Sequence, residues 1–92
     1  MKVRYRERAF TDLEAIFNYL AERSPAGARN VLAAIADAVD MIAAQPEAAK
    51  RTSDASVRVK TVGRYRYQIF YCVEGDAVEI IHVRHGARRP WL

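Results

Sequence analysis

The chain has 92 residues, 51% of them apolar, and a net charge of +4 from 15 Lys and Arg against 11 Asp and Glu. That is one small basic domain, residues 1–92, in which no apolar run approaches the ~18 residues that a membrane span needs. A single cysteine, Cys72, excludes an internal disulfide framework and fits a reducing compartment.

Residues 1–8 lack the apolar core of a secretory signal, so a cytoplasmic protein with no membrane partner is expected. The charge is unevenly spread. Residues 1–6 carry +3, residues 7–47 carry −4 from seven acids and three bases, and residues 48–92 carry +5 from nine bases and four acids. If the two ends meet in one sheet, the molecule acquires a basic face and an acidic one.

In chain order, residues 2–6 alternate polar and apolar and predict a short strand. Phe10, Leu13, Ile16, Phe17 and Leu20 then recur at helical spacing. Thr11 and Glu14 match a capping box, although Ala9 and Phe10 also suit a helix beginning near Glu7. Ser24-Pro25 ends this helix and opens the next, with serine as N-cap and proline in the first turn. The second helix presents Ala28, Val31, Leu32, Ile35, Val39 and Ile42 and ends at Gln45-Pro46. So short a link makes the helices an antiparallel hairpin with both stripes on one core, and Phe10, Phe17 and Met41 are expected inside it.

Residues 46–56 are polar and alanine-rich and predict a mobile loop. Residues 57–62 alternate as a strand, and Gly63 turns them into a second. In that second strand Tyr65, Tyr67, Ile69, Tyr71 and Val73 share one face. Glu74-Gly75-Asp76 is a turn, and residues 77–83 form its hairpin partner. The order is β-α-α-β-β-β, an α+β chain. Cys72, inside an apolar strand, is read as a small buried hydrophobe.

This order, with its local motifs, resembles the RelE/ParE family of toxins from type II toxin–antitoxin systems. The likeness runs over nearly the whole chain. It lies in the stretch from Ala9 to Ile16, in Ser24-Pro25-Ala26, in Pro46-Glu47 and in Val57-Arg58. It is densest in Tyr65-Arg66-Tyr67-Gln68-Ile69-Phe70-Tyr71-Cys72-Val73 and in Ile80-Ile81-His82-Val83-Arg84-His85-Gly86-Ala87-Arg88. The branch it is most similar to is ParE, often described as plasmid stabilisation protein. The resemblance implies that the helical hairpin packs on one face of a small, mostly antiparallel sheet. It implies a cognate antitoxin, a small DNA-binding protein that forms a hetero-oligomer with the toxin and alone contacts operator DNA. It also implies one of two targets, since ParE-like members poison DNA gyrase whereas RelE-like members cut messenger RNA on the ribosome.

Metal-independent RNA cleavage needs a base, cations around the phosphate and an acid for the leaving oxygen. Where the RelE-like enzymes resemble one another in carrying arginine, this sequence has Gln68, and its tail, Arg89-Pro90-Trp91-Leu92, lacks a terminal tyrosine or histidine. The reading is therefore a gyrase inhibitor that acts by binding, with no catalytic residue. A ribosome-dependent endoribonuclease and an inactive relative that only binds antitoxin stay as alternatives. Arg58, Lys60, Arg64, Arg66, Arg84, His85 and Arg88 are the candidate residues for target and antitoxin contact, and the helical hairpin is expected to be structural. His82 and His85 stand three apart, which places them on opposite faces of a strand, so neither a metal nor a cofactor is expected. Trp91 fits either a core lid or an interface anchor.

Overall fold

In the computed structural model, residues 1–86 are described. β1 (Lys2–Tyr5) leads directly into α1 (Glu7–Ala21), and three residues separate it from α2 (Pro25–Ala44). Then follow β2 (Lys50–Arg51), β3 (Arg58–Val62), β4 (Tyr67–Glu74) and β5 (Ala77–His85). The sheet order is β1-β5-β4-β3-β2, with β1 parallel to β5 and the other pairs antiparallel. The expected α+β architecture stands, and the two ends of the described chain do meet, since Val3 lies against Val78 and Tyr5 against Ile80.

Several details differ from the sequence reading. Lys50 and Arg51 form a strand against Val59 and Arg58, inside the segment expected to be a loop. Two residues are too few to show an alternation. Their pairing is stabilised from the turn beyond, where the Thr52 amide and hydroxyl both donate to the Val57 carbonyl, at 3.2 and 2.9 Å. Helix α1 starts at Glu7, and its N-cap, Arg6, makes no side-chain cap. The Thr11 hydroxyl instead donates to the Glu7 carbonyl at 3.1 Å, one turn back within the helix, so Thr11 and Glu14 are not a capping box. The α2 start is as expected: Ser24 Oγ accepts the Gly27 amide at 3.0 Å and Pro25 takes the first turn.

The core lies between the hairpin and one face of the sheet. Val31, Ile35, Val39 and Ile42 of α2 pack with Val62, Ile69, Tyr71, Val78 and Ile80. From α1 come Ala9, Leu13, Ile16 and Leu20. Phe10 and Phe17 sit one step round the helix and are 61% and 38% exposed, and Met41 is 58% exposed. The expectation that these three are core is corrected. A helix against one sheet face buries a narrower arc than its apolar residues span, and alanine at position 9 lets the backbone approach closely.

Two tight turns close the sheet. Gly75, between β4 and β5, has φ of +59°, and so does Arg66 before β4. A side chain tolerates that region poorly, and Arg66 holds it because its amide bonds the Val62 carbonyl at 2.8 Å while its own carbonyl accepts from Gly86 at 2.6 Å. A Cβ at Gly75 would meet no atom within 4 Å. Gly75→Ala therefore isolates the backbone cost and should lower the unfolding free energy by about 1 kcal/mol, measured in urea. No change would show that the turn relaxes out of the left-handed region.

Candidate functional site

β5 is longer than β1. The parallel pairing ends with the Arg6 amide donating to the Ile80 carbonyl at 2.9 Å, and β5 continues to His85. Beside this unpaired edge runs α1. Its Asp12 turns toward the strand and accepts two hydrogen bonds on one carboxylate oxygen, from the Val83 amide at 3.0 Å and from His82 Nδ1 at 2.6 Å. An ionised carboxylate only accepts, so Nδ1 carries the proton in this contact whichever charge the ring holds. His82 is 4% exposed, and its ring stacks on Phe70 at 5.7 Å between centroids.

Between α1 and the end of β5 lies a cleft of about 350 Å³. Asp12, Ile16 and Tyr19 line it from the helix, and Tyr67, Arg84 and His85 from the sheet. The Arg84 guanidinium lies 5.7 Å from the Phe70 ring centre. His85 meets Tyr67 edge-on at 5.1 Å. Arg23 covers Tyr19 at 3.8 Å and donates to its carbonyl. A cation and aromatic rings around an edge suit a contact with an anionic protein surface or a nucleic acid.

The other sequence-predicted residues are spread out. In antiparallel strands directly opposed residues share a face. Arg58 opposes Tyr71 and Lys60 opposes Ile69, so both lie on the face that carries the helices. Arg58 donates to the Ala49 carbonyl at 2.8 Å, and Lys60 borders a small cavity beside Met41, Gln45 and Tyr71. Arg64 stands over Tyr65 near Asp37 of α2. Arg66 occupies the turn. Arg84 is opposed by Gln68, whose buried Oε1 accepts no hydrogen bond among the described residues. Of the candidate set, only Arg84 and His85 among the described residues meet at the cleft. Arg88 and Trp91 lie outside the described residues.

Sequence reasoning missed Asp12, His82 and Tyr19 as members of a site. A histidine within the apolar run 77–83 signals that a partner must exist, because a buried ring N–H requires one. Nothing in spacing identifies that partner seventy positions earlier. Asp12 was legible only as a polar residue flanking the α1 stripe.

Nearer the start of β5, Arg6 forms a second ion pair. Its Nε and Nη2 both donate to Glu79 Oε1, at 3.1 and 2.8 Å, and Nη2 lies 3.8 Å from Cys72 Sγ. These bonds hold the Glu79 carboxyl below its ordinary value, and burial pushes the Cys72 thiol up, which makes it inert rather than nucleophilic. A carboxyl with a lowered native pKa contributes stability above its unfolded value of about 4.3, and that contribution fades as pH falls through the native one. Glu79→Gln should therefore narrow the stability difference between pH 7 and pH 3, followed by thermal unfolding. An unchanged difference would remove the pair from the acid response.

A family model described as the ParE toxin of type II toxin–antitoxin system, parDE, matches residues 3–90. The chain is 36% identical over 81 residues to Toxin RelE2 of Caulobacter vibrioides, covering 88% of this chain and 90% of that one. The fold is similar to a structure titled the chromosomal ParDE TA system from P. aeruginosa, with a TM-score of 0.80, 23% identity, and 92% and 95% of the two chains covered. The chain belongs to the ParE toxin family of type II toxin–antitoxin systems, which implies an antitoxin partner.

Proposed function

We propose that this ParE-family toxin acts in the cytoplasm by binding DNA gyrase rather than by cutting RNA, and that the α1–β5 cleft with Arg84 and His85 is its working surface. The observation that supports this reading is that, among the described residues, the candidate cations divide between two sheet faces instead of converging on one phosphate. Cleavage needs a base, an acid and cations around one phosphate. Arg84 has an amide, Gln68, opposite it. Arg58 and Lys60 lie with His85 on the face that carries the helices, whereas Arg84 lies on the other face, and His82 is buried on Asp12. An inhibitor that works by contact needs only a shaped, charged surface, and arginine beside aromatic rings supplies one. The kinship with a protein named RelE2 favours a second reading, ribosome-dependent cleavage of messenger RNA with His85 as base.

Induction in cells separates the two readings. Gyrase poisoning gives filamentation and DNA damage, whereas ribosome attack stops protein synthesis at once. Arg84→Ala should abolish growth inhibition while circular dichroism and antitoxin binding stay near wild type. Site-specific cleavage of messenger RNA on purified ribosomes, lost in His85→Ala, would replace the proposal with the second reading.

The antitoxin, a small DNA-binding protein through which the complex reaches operator DNA, would dock elsewhere. A groove of about 380 Å³ runs along α1 past Phe10, Leu13 and Phe17 to Leu32 of α2, flanked by Glu7 and Glu14. It suits a segment with apolar anchors and basic neighbours. Because Phe10 is largely exposed, Phe10→Ala should leave the fold intact and weaken antitoxin binding by about 1–2 kcal/mol in calorimetry. Unaltered affinity would move the antitoxin off this groove.

A further inference from the structure

We infer that Asp12 is a positioning residue for the working end of β5, so that α1 takes part in target inhibition instead of serving only as scaffold. The inference rests on the reading that Arg84 and His85 meet the target. Beyond Ile80, β5 has lost β1 as a neighbour, and one oxygen of Asp12 takes over as acceptor for Val83. The same oxygen holds His82 Nδ1. Val83 immediately precedes Arg84, so the backbone that aims the Arg84 side chain is fixed at the residue before it. His82 is locked in turn against Phe70, the ring over which the Arg84 guanidinium lies. The carboxylate thus acts on Arg84 along two routes, through the backbone at Val83 and through the His82–Phe70 stack. A long cationic side chain is a useful contact only if its base is held, since ordering it at the moment of binding lowers affinity.

Nothing else among the described contacts fixes α1 to this end of the strand by a charged hydrogen bond. The two ion pairs between the β1 segment and the β4–β5 hairpin, Lys2–Asp76 and Arg6–Glu79, lie nearer the start of β5. Asp12 itself is half-buried and lines the cleft together with Ile16 and Tyr19. Its role is therefore to hold the residues that touch the target.

The test compares Asp12→Ala, Asp12→Asn and Arg84→Ala in the toxin purified from its antitoxin complex, reading target inhibition, antitoxin affinity and amide exchange. With Asp12→Ala, exchange at Val83 and Arg84 should quicken by about tenfold or more while Ile69 and Tyr71 stay protected. Inhibition should fall about tenfold, in the direction of Arg84→Ala, with antitoxin affinity unchanged. Asp12→Asn keeps an oxygen for the Val83 amide and should restore both slow exchange and most of the inhibition. Full inhibition by Asp12→Ala when Arg84→Ala is silent would overturn the inference. Lost inhibition with undisturbed exchange would do so too, because Asp12 would then contact the target itself. If Asp12→Ala does not fold, Asp12→Asn decides, and native exchange without inhibition counts against positioning. If Arg84→Ala inhibits fully, the site reading fails by itself, and unchanged exchange in Asp12→Ala would still overturn the anchoring role.

Discussion

The sheet's behaviour at the far end of β5 follows from one mismatch of length. β1 has four residues and β5 has nine, so the parallel ladder stops about halfway along the longer strand. A strand edge left at that point exposes amides that need acceptors and that invite pairing with another chain. The chain resolves this by turning directly from β1 into α1, which brings a helix alongside the orphaned edge, and by placing a carboxylate on the facing flank of that helix. Asp12 supplies the acceptor, and the space left between helix and strand is the cleft. An ordinary apolar residue at position 12 would leave a buried amide unsatisfied, at a cost of about 1–3 kcal/mol.

Charge is likewise settled locally. The N-terminal strand brings Lys2 and Arg6 into the sheet, but Asp76 and Glu79 of the C-terminal hairpin meet them there. Arg58 is drawn to the Ala49 carbonyl at the end of the helical hairpin. A net charge of +4 therefore does not become a uniform basic face. The exposed Lys2–Asp76 pair, at 3.6 Å, adds little to stability by itself, whereas Arg6 reaches Glu79 through two nitrogens.

Much of the fold was legible because it depends on periodicity. The stripe of Val31, Ile35, Val39 and Ile42, the serine–proline start of α2 and the alternation around Ile69 and Tyr71 each report burial on one side. The pairing of β1 with β5 was foreshadowed only as a condition on charge. What escaped was set by neighbours distant in sequence. Phe10 and Phe17 carry the same apolar signal as Leu13 and Ile16, and only the angle at which α1 meets the sheet excludes them from the core. The faces of Arg58 and Lys60 depend on register with β4, which a one-residue slip would invert. The Asp12–His82 contact joins residues seventy apart, beyond any local pattern.

Kinship fixes the scaffold without fixing its chemistry. The chain is similar in fold to a structure titled for a ParDE system and in sequence to a relative named RelE2, and the resemblance read from the sequence leaves two targets open. A shared sheet and hairpin cannot discriminate between them, because activity resides in a few side chains grafted on that frame. Gln68, Arg84 and His82 share one face of the sheet and adjoin one another across β4 and β5. An arginine at 68 would set two cations side by side, a geometry fit for a phosphate. Glutamine gives a neutral partner, and the histidine on that face, His82, is held by a carboxylate from α1. The contact that satisfies the Val83 amide thus also occupies Nδ1 of that ring.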